Sequence, residues 1–326
     1  MPEMNLRAAI REALKEEMAR EPRTIVMGED VGAAGGVFKV TQGLFEQFGE
    51  ERVRDTPISE TAIVGCAVGA AVTGLKPIVE IMFADFNALC VEQIGNLAAK
   101  YRYLSGGQVE VPIVIRSATG AGIGFGAQHS QNIEAWFMQT PGIKIAVPST
   151  PYDAKGLMKS AIRGRDPVLF LEHKLCYPIK GDVPSDDYEI PFGLADIKRK
   201  GSDVTIIATM LMVHRSLLAA KLLEESEGIS AEVLDLRTLV PLDAKTILAS
   251  IGKTRRVVIV EENPRPSGWG AEIASVISEK ALYDLEAPIV RISAPNSPVP
   301  YSPLLEKAWM PDENRILSAA KELVRS

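Results

Sequence analysis

Histidine, cysteine and tryptophan each occur only three times in the 326 residues, and aromatic residues make up 6% of the chain. The cysteines, Cys66, Cys90 and Cys176, are far apart and lie in apolar stretches. That spacing excludes a disulfide framework and a cysteine metal site, and buried reduced thiols are expected, as in a cytoplasmic protein. A basic excess is missing as well: 36 Lys and Arg stand against 42 Asp and Glu, a formal charge of -6, which argues against a nucleic-acid surface. No apolar run is long enough to span a bilayer. The nearest, Ala62 to Leu75, is short and rich in small residues, and reads as a buried helix. The first ten residues mix charge with apolar positions at helical spacing and lack the basic start and apolar core of a signal peptide.

What remains is an ordinary globular composition, 46% hydrophobic and 24% charged, in a chain long enough for two cores. Leu6 to Ala19 predicts a helix and Thr24-Ile-Val-Met27 a strand ending in Gly28-Glu-Asp30. Pro77-Ile-Val-Glu-Ile81, Pro112-Ile-Val-Ile-Arg116, Ile143-Lys-Ile-Ala-Val147 and Pro167-Val-Leu-Phe-Leu171 read as strands buried on both faces. Between them Asp85 to Leu104, Gln131 to Gln139 and Tyr152 to Arg163 read as helices. Tyr177 to Pro191, with several breakers and no apolar period, reads as a linker. A second series follows, with strands at Asp203–Ala208, Ser230–Asp235, Arg256–Val260 and Pro288–Ile292 and helices between and after them. Such alternation predicts an α/β protein of two domains, 1–185 and 186–326, each a mainly parallel sheet covered by helices.

The stretch Gly120-Ala-Gly-Ile-Gly-Phe-Gly-Ala-Gln-His-Ser-Gln131 follows an apolar run and carries His129. A strand, a glycine turn and a histidine opening a helix place an imidazole, the side chain that titrates nearest neutrality, at the mouth of a sheet. Taken alone, a histidine near a helix start is more often a capped surface residue. Gly122-Ile-Gly-Phe-Gly-Ala127 fits a dinucleotide fingerprint, yet the next strand ends in Val147-Pro-Ser-Thr150 without the acidic residue that would hold a ribose. A second candidate is Asp55-Thr-Pro-Ile-Ser-Glu60. Glu60 reads either as a first-turn carboxylate complementing a helix dipole or, because the helix behind it is almost wholly apolar, as a buried carboxylate sharing a proton with a ligand nitrogen. In Glu80-Ile-Met-Phe-Ala-Asp-Phe86 the aromatics suit either a flat heterocycle or the core.

Together with Ala98-Ala-Lys-Tyr-Arg-Tyr103, Ala127-Gln-His-Ser-Gln131, Asp153-Ala-Lys-Gly156, Leu171-Glu-His173 and Asp235-Leu-Arg-Thr-Leu-Val-Pro241, these segments resemble the β subunit of the thiamine-dependent decarboxylating component of 2-oxo acid dehydrogenase complexes. The likeness runs from about Leu6 to the C-terminus and is nearest to acetoin and pyruvate dehydrogenases. It implies a transketolase-like pyrimidine-binding domain followed by a transketolase C-terminal-like domain, with thiamine diphosphate bound between an alpha and a beta chain of an α2β2 tetramer. By the same resemblance, Glu60 matches the carboxylate that protonates N1′ of the aminopyrimidine, Phe86 the aromatic against that ring, and Ile58 and Met82 the pocket lining. His129 matches the histidine that assists acyl transfer to the lipoyl arm of the acyltransferase component. The Gly-Asp-Gly…Asn pattern that holds magnesium and the diphosphate is missing here and belongs to the alpha chain in the family. Main-chain oxygens at Ile113, Ala161, Ile162, Gly164 and Asp166 match a structural potassium site, with Gly164 standing where an aspartate is common. The implied reaction is oxidative decarboxylation of pyruvate, or acetoin cleavage, with transfer of the acyl unit to lipoamide. A branched-chain 2-oxo acid dehydrogenase β subunit and a non-catalytic structural subunit are the alternatives.

Overall fold

A computed structural model describes residues 2–325, so the outer ends of the two expected domains, positions 1 and 326, lie outside the described residues. The chain forms two compact units, residues 1–119 with 136–192 and residues 120–135 with 193–326. It therefore passes from one unit to the other three times. Among the described residues no helix is long and apolar enough to cross a membrane.

The first unit contains the strands β1 (Glu3–Asn5), β2 (Thr24–Gly28), β3 (Val53–Asp55), β4 (Lys76–Phe83), β5 (Val114–Thr119), β6 (Lys144–Ala146), β7 (Val168–His173) and β8 (Lys180–Asp182). β2 to β7 pair in parallel in the order β6-β7-β5-β4-β2-β3. All six residues of β5 and of β7 are buried, as the continuous apolar runs require for strands covered on both faces. The helices are α1 (Leu6–Arg20), α2 (Leu44–Phe48), α3 (Glu60–Val72), α4 (Ala99–Leu104), α5 (Glu134–Met138), which straddles the unit boundary, and α6 (Pro151–Arg163). The side chain of Asn5 accepts the Ala8 N–H and that of Thr150 the Asp153 N–H, with Pro151 at the first helical position, so both α1 and α6 start on capped ends. The two helices pack on each other. The fully buried Lys155 bridges Glu12 at 2.6 Å and Glu16 at 2.9 Å between them.

In the second unit β9 (Asp196–Arg199), β10 (Val204–Ala208), β11 (Ala231–Asp235), β13 (Val257–Pro264) and β14 (Val290–Ala294) form a sheet ordered β14-β13-β10-β11-β9, parallel except for the antiparallel edge strand β9; β12 (Thr238–Val240) lies outside it. Its helices are α7 (Met210–Glu227), α8 (Ala244–Thr254), α9 (Trp269–Lys280), α10 (Pro303–Trp309) and α11 (Glu313–Arg325). The α/β class and the mostly parallel sheets are as expected.

Four local expectations are corrected. The helix expected over Asp85 to Leu104 is three pieces: a 3₁₀ segment (Ala84–Cys90), a π segment (Gln93–Ala98) and α4. Asn87 donates to the Ala84 carbonyl at 3.0 Å and to Ser117 Oγ at 2.9 Å, and Thr61 donates to the Leu89 carbonyl, so side chains compete with the regular ladder. The helix expected from Gln131 starts only at Glu134, and His129 lies in a bend before it. Gly120, Gly122, Gly124 and Gly126, with φ of 87°, 107°, 75° and 70°, keep this stretch in a conformation that ordinary residues resist. The stretch Tyr177 to Pro191 is no bare linker. β8 pairs antiparallel with β1, Val183 and Ile190 are buried, and Asp187 bonds Lys159 at 2.6 Å and Arg163 at 2.7 Å. Finally, Cys66 is exposed, because the buried face of α3 runs through Ile63, Val64, Ala67, Val68 and Ala71.

Candidate active site

α3 begins at Glu60. Ser59 offers no side-chain cap, the Ile63 N–H returns to the Ser59 carbonyl at 2.9 Å, and Glu60 is the acidic residue of the first turn. Glu60 is only 8% exposed and has no side-chain hydrogen bond or ion pair among the described residues. What faces it electrostatically is another acid: Glu29, at the end of β2, has its carboxyl raised first by burial and then by the charges of Glu60 and Asp30. Burial, followed by Glu60, pushes the Cys90 thiol up to about 12, so the thiol stays protonated.

Short links tie the first turn of α3 to the segment that carries Phe86. Thr61 Oγ1 donates to the Leu89 carbonyl at 2.8 Å, tying the first turn of α3 to the 3₁₀ segment that carries Phe86. Cys90 Sγ reaches the Phe86 carbonyl at 3.8 Å. Phe86 packs edge-on against Phe83, centroids 5.8 Å apart; Phe83 is buried, whereas Phe86 and Met82 are half-buried. Ile58, two residues before Glu60, is 83% exposed, an unusual position for a large aliphatic side chain. A nearly buried carboxylate without a side-chain partner among the described residues, with exposed Ile58 two residues before it and incompletely covered Met82 and Phe86 elsewhere in the same unit, is compatible with a flat, partly apolar heterocycle with one basic ring nitrogen. That is the chemistry of an aminopyrimidine.

Under this surface lies a charge cluster that the motifs did not reveal. The buried Arg116 of β5 donates to both oxygens of Glu172 on β7 at 2.7 and 2.8 Å and to Glu80 on β4 at 2.7 Å, while the Tyr177 hydroxyl donates to Glu172 at 2.8 Å. Burial alone would lower the guanidinium's pKa, but Glu172 and Glu80 more than reverse it, so Arg116 stays charged. Glu172 is raised by burial against the pull of Arg116, with Glu80 adding to the rise. The cluster locks together three strands whose ends lead into the site.

His129 belongs to the second unit and is half-buried. Its loop is held by carboxylates. The Gly122 and Gly124 N–H groups donate to the two oxygens of Glu306, on α10, at 2.7 and 2.9 Å. Ala121 N–H and the Asn132 side-chain amide donate to Glu262 Oε1, on β13, at 2.7 and 3.1 Å. Asn263 donates to Glu134 Oε2 at 2.9 Å. The glycine N–H groups that in a dinucleotide fold would cradle phosphate thus hold the chain's own carboxylate.

The potassium candidates carry other bonds. Val168 N–H donates to the Ile113 carbonyl at 2.9 Å, Gly164 N–H to that of Ala161 at 3.3 Å and Lys76 Nζ to that of Ile162 at 3.2 Å. The Asp166 carboxylate lies between Lys144, at 3.0 Å, and Arg102.

Sequence reasoning missed Glu29, Glu262, Glu306 and Arg116. Only Glu29 had a signal, its place at the carboxyl end of a parallel strand, where α/β sheets bind ligands.

Residues 2–180 match the family described as the transketolase pyrimidine binding domain, and residues 193–316 the transketolase C-terminal domain. The 2-oxoisovalerate dehydrogenase subunit beta of Bacillus subtilis is 51% identical over 317 residues, 97% of either chain. The acetoin:2,6-dichlorophenolindophenol oxidoreductase subunit beta of Cupriavidus necator is 46% identical, covering 99% of this chain and 98% of its own. The pyruvate dehydrogenase E1 component subunit beta of B. subtilis is 44% identical, covering 99% of both. Among solved structures, a split-gene transketolase described as an inactive β4 tetramer superposes with a TM-score of 0.81 at 25% identity, over 99% of this chain and 98% of that one.

Proposed function

As the chain belongs to the family of β subunits of the thiamine-dependent decarboxylating component of 2-oxo acid dehydrogenase complexes, we propose that it is the β half of an α2β2 pyruvate or acetoin dehydrogenase component of the cytoplasm. The observation that carries this reading is Glu60: a nearly buried carboxylate without a side-chain partner among the described residues, in the first turn of α3, two residues after the exposed Ile58. Thiamine diphosphate, when bound, supplies an acidic carbon that becomes the nucleophile toward the substrate carbonyl. Glu60 holds the proton shared with N1′ of the aminopyrimidine, and its low solvent exposure keeps that proton from water. Ile58, Met82 and Phe86 hold the ring and exclude water. His129, by the same family likeness, would assist transfer of the acyl unit to lipoamide. In the overall change the bond to the carboxylate breaks with release of CO2, or acetoin is split to acetaldehyde. The lipoyl disulfide is reduced, with one sulfur acylated and the other protonated.

The alpha chain supplies the magnesium and diphosphate half of the site. An outer partner also suits α3, whose Ala62, Cys66, Gly69 and Val72 are exposed although apolar or small. A potassium ion takes the second lone pairs of the Ile113, Ala161, Ile162, Gly164 and Asp166 main-chain oxygens, in competition with the Lys76 ammonium. If so, the melting temperature rises in potassium relative to sodium chloride, and equal values in the two salts remove the ion from this reading.

The deciding experiment is co-expression with an alpha-type chain that carries Gly-Asp-Gly…Asn, followed by assay on pyruvate, acetoin and branched-chain 2-oxo acids side by side. The last belong in the assay because of the 51% identity to the 2-oxoisovalerate subunit. Activity that requires both chains is expected; appreciable turnover by the purified β chain alone would overturn the proposal.

A further inference from the structure

The glycine loop before His129 is a concave row of N–H groups, the kind of nest that binds anions in other proteins. Here the anion is internal. Glu306 is 3% exposed and accepts Gly122 and Gly124 on its two separate oxygens; Glu262, 5% exposed, accepts from the preceding residue, Ala121, and from the Asn132 side chain. Glu262 thus grips both flanks of the segment that contains His129, and Glu306 grips the glycines before it. Bonds from N–H to an ionised carboxylate are shorter and about twice as strong as neutral ones. Four glycines at positive φ give the loop little stiffness of its own. Tyr301 closes over it from the same region as Glu306: a side chain at Gly126 would begin 3.0 Å from the Tyr301 ring.

We propose that Glu306 is the positioning residue for His129, its carboxylate filling the Gly122–Gly124 nest so that the imidazole is presented in one place, with Glu262 as the second pin. The inference rests on the reading of His129 as the residue that assists acyl transfer. It gives the glycines a role that a phosphate-binding reading does not. It also specifies the chemistry required at 306: two acceptor oxygens and no donor. A glutamine there keeps one acceptor and turns an NH2 against a backbone N–H; an alanine removes both acceptors.

The test uses the assembled complex with wild-type chain and the variants His129→Ala, Glu306→Gln and Glu306→Ala. Two activities are compared: reduction of 2,6-dichlorophenolindophenol, which takes electrons without lipoyl transfer, and acylation of a free lipoyl domain. Hydrogen exchange at the Gly122 and Gly124 amides is followed in parallel. Expected is a fall of the acylation-to-dye ratio by about tenfold to a hundredfold in the alanine variant, a smaller fall in the glutamine variant, and faster exchange at both amides. Should His129→Ala lower the ratio while both Glu306 variants keep it, the positioning role is overturned and the reading of His129 stands. A His129→Ala complex with the wild-type ratio overturns that reading and this inference together. Dye reduction and thermal unfolding report a variant that fails to fold; in that case the glutamine variant decides, and an unchanged ratio there overturns the proposal.

Discussion

Thr61 Oγ1 donates to the Leu89 carbonyl at 2.8 Å, and this bond joins the turn that bears Glu60 to the segment that bears Phe86. In the proposed function this bond ties together two parts of the aminopyrimidine pocket. Thr61→Val keeps the shape and removes the donor, at a cost of about 1 kcal/mol. We expect the assembled complex to bind thiamine diphosphate roughly fivefold more weakly by calorimetry; unaltered affinity would mean that the segment is held by other contacts.

Glu60→Gln removes the acidic proton but keeps the volume. Proton exchange at C2 of the bound cofactor should slow by about a hundredfold or more, with thermal stability of the complex preserved. Exchange at the wild-type rate would sink the assignment of Glu60.

Arg116 is shared by Glu80 and Glu172. Arg116→Met strands two buried carboxylates, and a loss of about 3–5 kcal/mol in unfolding free energy is expected. Arg116→Lys should rescue little of it, because an ammonium cannot reproduce the two parallel bonds to Glu172. A lysine variant as stable as wild type would show that the planar fork is unimportant.

Glu134 gives a pH dependence of definite sign. Burial pushes its carboxyl up from 4.5 to about 7; its own backbone N–H and Asn263 oppose the rise, and the Glu262 and Glu261 charges add to it. Between those values the folded chain keeps a proton that the unfolded chain releases. Its contribution to stability is therefore full below about 4.5, declines as the pH rises and is lost above about 7, on the order of 3 kcal/mol in all. In Glu134→Gln that decline disappears. Chemical unfolding at pH 5 and pH 8 checks it: the wild-type difference between the two should shrink in the variant, and identical differences would contradict the assignment.

Much of the fold was legible because β4, β5, β7, β10 and β13 each contain a short β-branched or aliphatic run, and such a run is best buried in a sheet covered on both faces. Short polar elements were not. β3, β8 and β9 carry few apolar residues and exist through their partners, as β8 does through β1. Glu60 and His129 stood out through what surrounds them, an apolar helix and a glycine turn. Their supports did not: Glu262 and Glu306 lie more than 120 residues from the loop they hold, and no local pattern marks a residue whose partner is a distant backbone N–H. Arg116 was hidden for the opposite reason, as a charge at the end of an apolar run that reads as the strand's solvent edge.

The assignment of residues 120–135 to the second unit bears on descent. A chain whose units were consecutive would recombine freely at the junction after Phe192, each parent contributing a finished half. In this chain such a crossover would separate a histidine loop inherited from one parent from the glutamates inherited from the other. Hybrids made at that junction should then succeed only between relatives that keep the same loop and the same acids, which leaves the two units bound to a common ancestry.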